Sequence, residues 1–146
     1  KVALTLSDLF CVGRHRDDFQ KLITSHVDLL FANEQELCAQ YQTDNLDDAI
    51  AAARGHADIL AVTRSEKGAV IITPTETIAV PAQPVVRAVD TTGAGDLFAG
   101  GFLYGLTQSM VLAECGRLGT VAAAEIISHT GARPQASLKD AIRDAA

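Results

Sequence analysis

Tryptophan is absent, and aromatic residues make up only 5% of the 146 residues. Platforms on which nucleic-acid bases could stack are therefore scarce. Clustered positive charge is missing as well. Twelve Lys and Arg stand against eighteen Asp and Glu, a formal net charge of −6, and the basic residues are scattered. A binder of nucleic-acid backbones needs a concentrated positive face, and an anionic membrane surface asks for the same. No apolar run approaches the ~18 residues of a membrane span, and Lys1 to Asp8 lacks the layout of a signal peptide. The three cysteines, Cys11, Cys38 and Cys115, are far apart, odd in number and without a C-x-x-C pair. They offer neither a zinc site nor a disulfide framework, and suit reduced, mostly buried thiols in a cytoplasmic protein. His15, His26, His56 and His129 share no ligand spacing.

What is present is material for a core. Hydrophobic residues make up 48% and charged residues 21%, which excludes a disordered or collagen-like chain. The pattern predicts strands at Val2–Leu6, Asp28–Ala32 and Asp58–Thr63, each a short apolar run. Helices are expected over Arg14–Thr24, Glu34–Tyr41 and Leu46–Arg54, the last with Asn45 as N-cap and Gly55 as stop. Gly68–Thr73 and Thr77–Val80 flank Thr73-Pro-Thr-Glu, a hairpin signal, and Pro81 and Pro84 mark a loop. Ala94–Thr107 reads as a helix opening in a glycine-rich turn. Met110–His129 reads as a long, Ala-rich helix buried on most faces and ended by Gly131 and Pro134. Ser137-Leu-Lys-Asp140 has capping-box form and opens a last short helix. Short apolar strands alternating with helices imply a parallel sheet covered on both faces, with a mixed edge at the hairpin. The set of strands is small and looks like part of a larger sheet.

The most informative stretch is Val89-Asp-Thr-Thr-Gly-Ala-Gly-Asp-Leu-Phe-Ala-Gly-Gly-Phe102. Small residues run straight into a helix, where the first N–H groups lack internal partners and the helix dipole adds positive charge. Gly93, Ala94 and Gly95 let an anion approach that backbone, and phosphate is the usual occupant. No lysine follows, so this is not a Walker loop, and Phe98 stands where the dinucleotide fingerprint needs its third glycine. Asp96 sits inside the cradle. Two readings fit it: a carboxylate complementing the helix dipole, or a base taking the proton of an attacking hydroxyl while the cradle steadies charge on a transferred phosphoryl group.

Asp90-Thr-Thr-Gly-Ala-Gly-Asp96 followed by Phe98-Ala-Gly-Gly-Phe102 closely resembles the C-terminal signature of the PfkB (ribokinase-like) carbohydrate and nucleoside kinases. Asn33-Glu-Gln-Glu36, just after a strand, resembles that family's N-x-x-E motif. Thr63-Arg-Ser-Glu-Lys-Gly-Ala69 resembles its nucleotide-binding strand-turn, with Ser65 where many members carry glycine. The resemblance implies an α/β fold, a ribokinase-like three-layer α/β/α sandwich. Residues 1–146 would form a single partial domain of it, the nucleotide-binding and catalytic C-terminal half of a larger, mostly parallel sheet.

The resemblance also implies roles. Asp96 would be the catalytic base, with Gly93, Ala94 and Gly95 as anion hole. Asn33 and Glu36 would organise Mg²⁺, the alternative for Glu36 being an exposed helix-start carboxylate. Thr63, Ser65 and Gly68 would line the nucleotide, with ATP as phosphoryl donor. Asp90 and Thr92 match positions that hold K⁺ in many members, the alternative being an ordinary turn. Gly131 would lend that cation a carbonyl or serve as a helix C′ glycine, and Gly100-Gly101 would serve close helix packing.

Leu6-Ser-Asp-Leu-Phe-Cys-Val with Arg14-His-Arg, and Ser128-His-Thr-Gly-Ala-Arg-Pro134, are similar to bacterial adenosine-kinase-like members. The expected activity is ATP-dependent phosphorylation of a sugar or nucleoside hydroxyl. A ribokinase- or fructokinase-type sugar kinase and a non-catalytic nucleotide-binding fragment are the alternatives. Sugar specificity in the family resides largely in an N-terminal part and lid with no counterpart here. The chain alone is therefore expected to be inactive and to self-associate or pair with that missing half.

Overall fold

The computed structural model describes residues 1–144. The elements run β1 (Ala3–Thr5), α1 (Leu9–His26), β2 (Leu29–Asn33), α2 (Glu34–Gln40), α3 (Leu46–Ala53), β3 (Ile59–Thr63), a 3-10 turn (Ser65–Lys67), β4 (Ala69–Ile72), β5 (Thr77–Val80), α4 (Ala94–Thr107), α5 (Leu112–Ile127) and α6 (Leu138–Asp144). The strands form one sheet in sequential order. The chain divides into two compact units: Lys1–Arg64 with Val70–Ile78, and Ser65–Ala69 with the chain from Ala79 onward.

In the first unit β1, β2 and β3 are parallel, with Leu4 opposite Leu30 and Asn33 opposite Thr63. Parallel neighbours need long crossovers, supplied here by α1 and by α2–α3. β4 and β5 are joined by only four residues, which demands an antiparallel hairpin. The Thr73 N–H donates to the Glu76 carbonyl at 3.0 Å. Arg54, the C-cap of α3, clasps that turn, with Nη1 on the Thr73 and Glu76 carbonyls at 2.5 and 3.1 Å and Nη2 on Thr77 Oγ1 at 2.7 Å. The core is aliphatic, built from Leu6, Val12 and Ile23 against Leu30, Leu37, Leu60 and Val62.

α1 starts at Leu9 rather than at Arg14. Asp8 caps it, with Oδ1 accepting the Cys11 N–H at 2.8 Å, and a kink at His15, two residues after Gly13, separates the early turn from the expected stretch. Asn45 caps α3 as expected, accepting the N–H groups of Asp47 and Asp48.

The second unit is dominated by α4 packed on α5, and its contact depends on missing side chains. A Cβ at Gly101 would lie 2.5 Å from the Leu118 carbonyl oxygen, one at Gly105 2.9 Å from Cys115 Sγ, and one at Gly119 2.8 Å from the Phe98 ring. Phe98 and Phe102, stacked with centroids 6.2 Å apart, fill the space so created, each worth roughly 1.5–3 kcal/mol of burial. Gly100 differs from its neighbour: it is exposed, and a Cβ there would meet nothing. α5 runs Leu112–Ile127, shorter than the expected Met110–His129, because Ser109 takes a left-handed φ of 57° and Val111 stays extended. Its C-cap is Ser128, so Gly131 lies beyond the C′ position assigned to it. Ser137 opens α6 as expected, its hydroxyl 3.3 Å from the Asp140 N–H. Cys115 is buried, Cys11 and Cys38 are half-buried, and all three are free. No helix among the described residues is long and apolar enough to cross a membrane.

Candidate functional site

α4 begins where the sequence placed it, and the reason is Gly93. This N-cap residue has φ 82° and ψ 0°, a left-handed conformation natural to glycine. It brings no side chain to cap the helix. The Ala94 N–H donates to the Thr91 carbonyl at 3.1 Å, which leaves the Gly95 and Asp96 N–H groups to open outward with the positive end of the dipole. A Cβ at Gly95 would meet nothing, so an anion can approach the backbone there. Asp96 is exposed in the same first turn. Among the described residues no side chain pairs with its carboxylate.

Both carboxylate oxygens of Asp90, just upstream, accept hydrogen bonds. Its Oδ1 accepts the Thr92 N–H at 2.9 Å and its Oδ2 accepts the Gly131 N–H at 3.1 Å. The Thr92 hydroxyl and N–H, then the Gly131 N–H, draw the Asp90 carboxyl down to about 2 against a small opposing effect of burial, and His129 adds attraction. The carboxylate is ionised at any working pH. Ala132 closes on the same turn, since a Cβ on Gly93 would stand 3.2 Å from the Ala132 Cβ. The structure therefore brings Asp90, Thr92, Gly93 and Gly131 together. Gly131 contributes its N–H to Asp90, where its carbonyl was the expected contact.

In the first unit Asn33 and Thr63 are register partners at the C-terminal ends of β2 and β3, the edge at which open α/β sheets bind ligands. Asn33 caps α2 through its Oδ1, which accepts the Glu36 N–H at 2.8 Å. Glu36 reciprocates: Oε2 accepts the Asn33 N–H at 2.9 Å and Oε1 accepts from Asn33 Nδ2 at 2.7 Å. The exposed-carboxylate alternative for Glu36 does not hold, because the residue is only 6% exposed. Burial pushes its carboxyl up, the Asn33 N–H works against this, and the Asp8 carboxylate adds to the rise. Next door, Arg64 Nε donates to Glu34 Oε2 at 3.1 Å and ties the residues that follow Asn33 and Thr63.

Ser65 and Gly68 belong to the second unit. Ser65 has a φ of 52°, a conformation in which serine costs about 1–3 kcal/mol and glycine little. Gly68 has φ 83°, is buried, and donates its N–H to the Ser65 carbonyl at 3.0 Å. Any side chain there would run into the Val80 carbonyl, so packing already requires this glycine.

Asn33 and Glu36 suit Mg²⁺. They are hard oxygen donors, and the buried carboxylate beside Asp8 carries charge that a cation would relieve. Among the described residues no group of three or more acidic, His or Cys side chains forms a metal cage. Asp90 and Thr92 likewise offer oxygen atoms to a monovalent cation. Sequence reasoning missed Asp8, whose signal was its place three residues beyond β1, and Glu125, which had none. Glu125 Oε1 accepts the N–H groups of Gln135 and Ala136 and lies 3.1 Å from His129 Nε2.

A family model described as pfkB family carbohydrate kinase matches residues 6–139. The cytidine kinase of Thermococcus kodakarensis is 37% identical over 119 residues, covering 80% of this chain and 42% of that enzyme. The crystal structure of adenosine kinase from Sinorhizobium meliloti is 46% identical with a TM-score of 0.96, covering 99% of this chain and 44% of that one. Arabidopsis thaliana ribokinase, solved with ribose and ATP, is 25% identical with a TM-score of 0.75, covering 86% and 42%. The fold is thus the ribokinase-like α/β fold that the motifs implied. The chain spans under half the length of the curated relatives it matches.

Proposed function

This chain belongs to the pfkB family of carbohydrate kinases, and from that premise we propose that it is the phosphate-binding and catalytic portion of an enzyme that phosphorylates a hydroxyl of a nucleoside, adenosine foremost, with ATP. The observation that carries this reading is the uncapped N-terminus of α4, where Gly93 turns the chain and Asp96 stands exposed beside open N–H groups. A carboxylate weakens an anion cradle by repulsion, and a pure binder has no use for it there. A hydroxyl acceptor supplies the use: Asp96 takes its proton as the phosphoryl group arrives. The backbone N–H groups of Gly95 and Asp96 meet the charge on the transferred oxygens, already oriented and in need of no rearrangement. Proton transfer to a carboxylate can come late, because a loose phosphoryl-transfer transition state asks little of the nucleophile.

Asn33 and Glu36 hold Mg²⁺ in this reading, and the ion when bound neutralises β- and γ-phosphate oxygens. Thr63, Ser65 and Gly68 line the nucleotide. Asp90 and Thr92 accept a monovalent cation, K⁺. The nucleoside assignment is supported by the 46% identity to an adenosine kinase, a likeness that also covers Arg14-His-Arg and residues 128–134. Residues 1–146 act as one partial domain, and the acceptor pocket is supplied by a further segment or by a second chain. Three free cysteines fit a reducing cytoplasm.

The test is a phosphoryl-transfer panel on the full-length protein, with ATP and Mg²⁺ against adenosine, cytidine, ribose and fructose. Transfer to adenosine at the highest kcat/KM is expected. Transfer to ribose or fructose in preference would replace the nucleoside by a sugar, and no transfer to any acceptor would overturn the reading.

A further inference from the structure

Glu125 lies near the C-terminal end of α5, yet its side chain is only 9% exposed. Its Oε1 gathers three donors: the N–H of Gln135 at 2.8 Å, the N–H of Ala136 at 2.9 Å and His129 Nε2 at 3.1 Å. Its Oε2 is buried without a partner. Burial alone would push the carboxyl up. The N–H groups of Ala136 and Gln135, with His129, reverse this and hold it below the ordinary value. A glutamate at the end of an amphipathic helix is ordinarily solvated, and this one is wrapped instead by the chain that follows it.

That chain, residues 128–136, contains neither helix nor strand. Its other side touches the anion cradle at two points. The Gly131 N–H donates to Asp90 Oδ2, and Ala132 packs against Gly93. Just before the segment, the carbonyl of Ile127, the last residue of α5, accepts the N–H of Val89 at 2.7 Å. The segment is thus strung between two carboxylates, Glu125 behind and Asp90 in front. Without secondary structure of its own, its place is set by these attachments.

We propose that Glu125 is a positioning residue for the phosphoryl-transfer site: it clamps residues 128–136 from behind and so fixes Gly131 and Ala132, and through them the Asp90 carboxylate and the Gly93 turn. What the site does rests on the kinase reading above, whereas the mechanical coupling rests on these contacts alone.

The test uses the full-length protein with Glu125→Ala, Glu125→Gln, Asp90→Asn and the Glu125→Ala/Asp90→Asn double variant. All are compared well below their melting temperatures. Amide exchange over residues 90–96 should accelerate at least fivefold in Glu125→Ala. Its kcat/KM for ATP should fall tenfold or more while the KM for adenosine stays within twofold. Glu125→Gln keeps Oε1 as acceptor and should restore at least a third of the activity. In the Asp90→Asn background, Glu125→Ala should cost less than threefold, because the path it acts through is already broken. Exchange that rises evenly across the protein, or two substitutions whose effects multiply in full, would overturn the proposal. If the wild-type protein transfers no phosphate, the kinase reading fails, and exchange over residues 90–96 still decides the coupling.

Discussion

Asn33 and Glu36 bind each other three times over: Asn33 Oδ1 takes the Glu36 N–H, and the two Glu36 oxygens take the Asn33 N–H and Nδ2. This reciprocal capping box starts α2 at the C-terminal end of β2 and places a buried carboxylate there. Each carboxylate oxygen keeps a further lone pair. Glu36→Gln should therefore raise the Mg²⁺ concentration for half-maximal rate by about tenfold, the usual range for groups that orient a metal's shell. Glu34→Gln, which breaks only the pair with Arg64, is the control. An unmoved Mg²⁺ titration would reduce Glu36 to a helix cap.

Asp96→Asn in the full-length protein should lower kcat by about 10²–10⁴-fold, the contribution of a general base. The dissociation constant for ATP, measured by calorimetry, should stay within about threefold, since the side chain acts on the acceptor hydroxyl. More than a tenth of the wild-type rate would remove Asp96 from the chemistry.

Asp90 predicts an acid window. Its folded carboxyl sits at about 2 against an ordinary 3.8, so ionisation favours the folded state. That contribution is complete above the ordinary value and is lost as pH falls from about 3.8 toward 2. The stability gap between wild type and Asp90→Asn should be constant from neutral pH to about 5 and narrow below 4, as read by urea unfolding at each pH. A gap that widened on acidification would contradict the sign.

The same carboxylate should decide the monovalent-ion response. K⁺ should stimulate transfer more than Na⁺ at matched ionic strength, and Asp90→Ala should abolish the difference. Equal rates in the two salts with wild type would leave Asp90 and Thr92 as residues of a turn.

Adjacent glycines on α4 should respond in opposite directions. Gly101→Ala drives a Cβ to 2.5 Å from the Leu118 carbonyl oxygen, and backbone must move to admit it. A loss of about 1–3 kcal/mol is expected. Gly100→Ala meets nothing and should gain about 0.4–1 kcal/mol through the unfolded chain. Chemical denaturation of the two variants checks the pair.

Local chemistry was legible and long-range closure was not. The bounds expected for Ala94–Thr107 and Thr77–Val80 match the structure, because a glycine turn and a Thr-Pro-Thr-Glu hairpin announce themselves within a few positions. The apolar spacing places the start of α1 at Arg14, whereas the helix begins at Leu9, where Asp8 caps it. The N-x-x-E and glycine motifs pointed to Asn33, Glu36 and Asp96. They could not reveal that Asn33 faces Thr63 across a parallel register, that Glu36 is buried, or that Asp90 reaches Gly131. Those relations depend on which strands pair and which helices pack, and no spacing encodes them.

Asp90 and Gly131 are 41 positions apart, and the path between them contains all of α4 and α5. Their hydrogen bond closes that path into a ring. It cannot form until the two helices have found each other and the chain has come back past Ile127. The cradle turn therefore has its final geometry only in a unit whose two helices are packed, although its residues are contiguous. Phosphate affinity would then report completed assembly. Under the proposed function a nucleotide would bind only the closed ring and would shift the folding equilibrium toward it in proportion to ln(1 + [L]/Kd), so a chain stalled before closure would be invisible to that ligand.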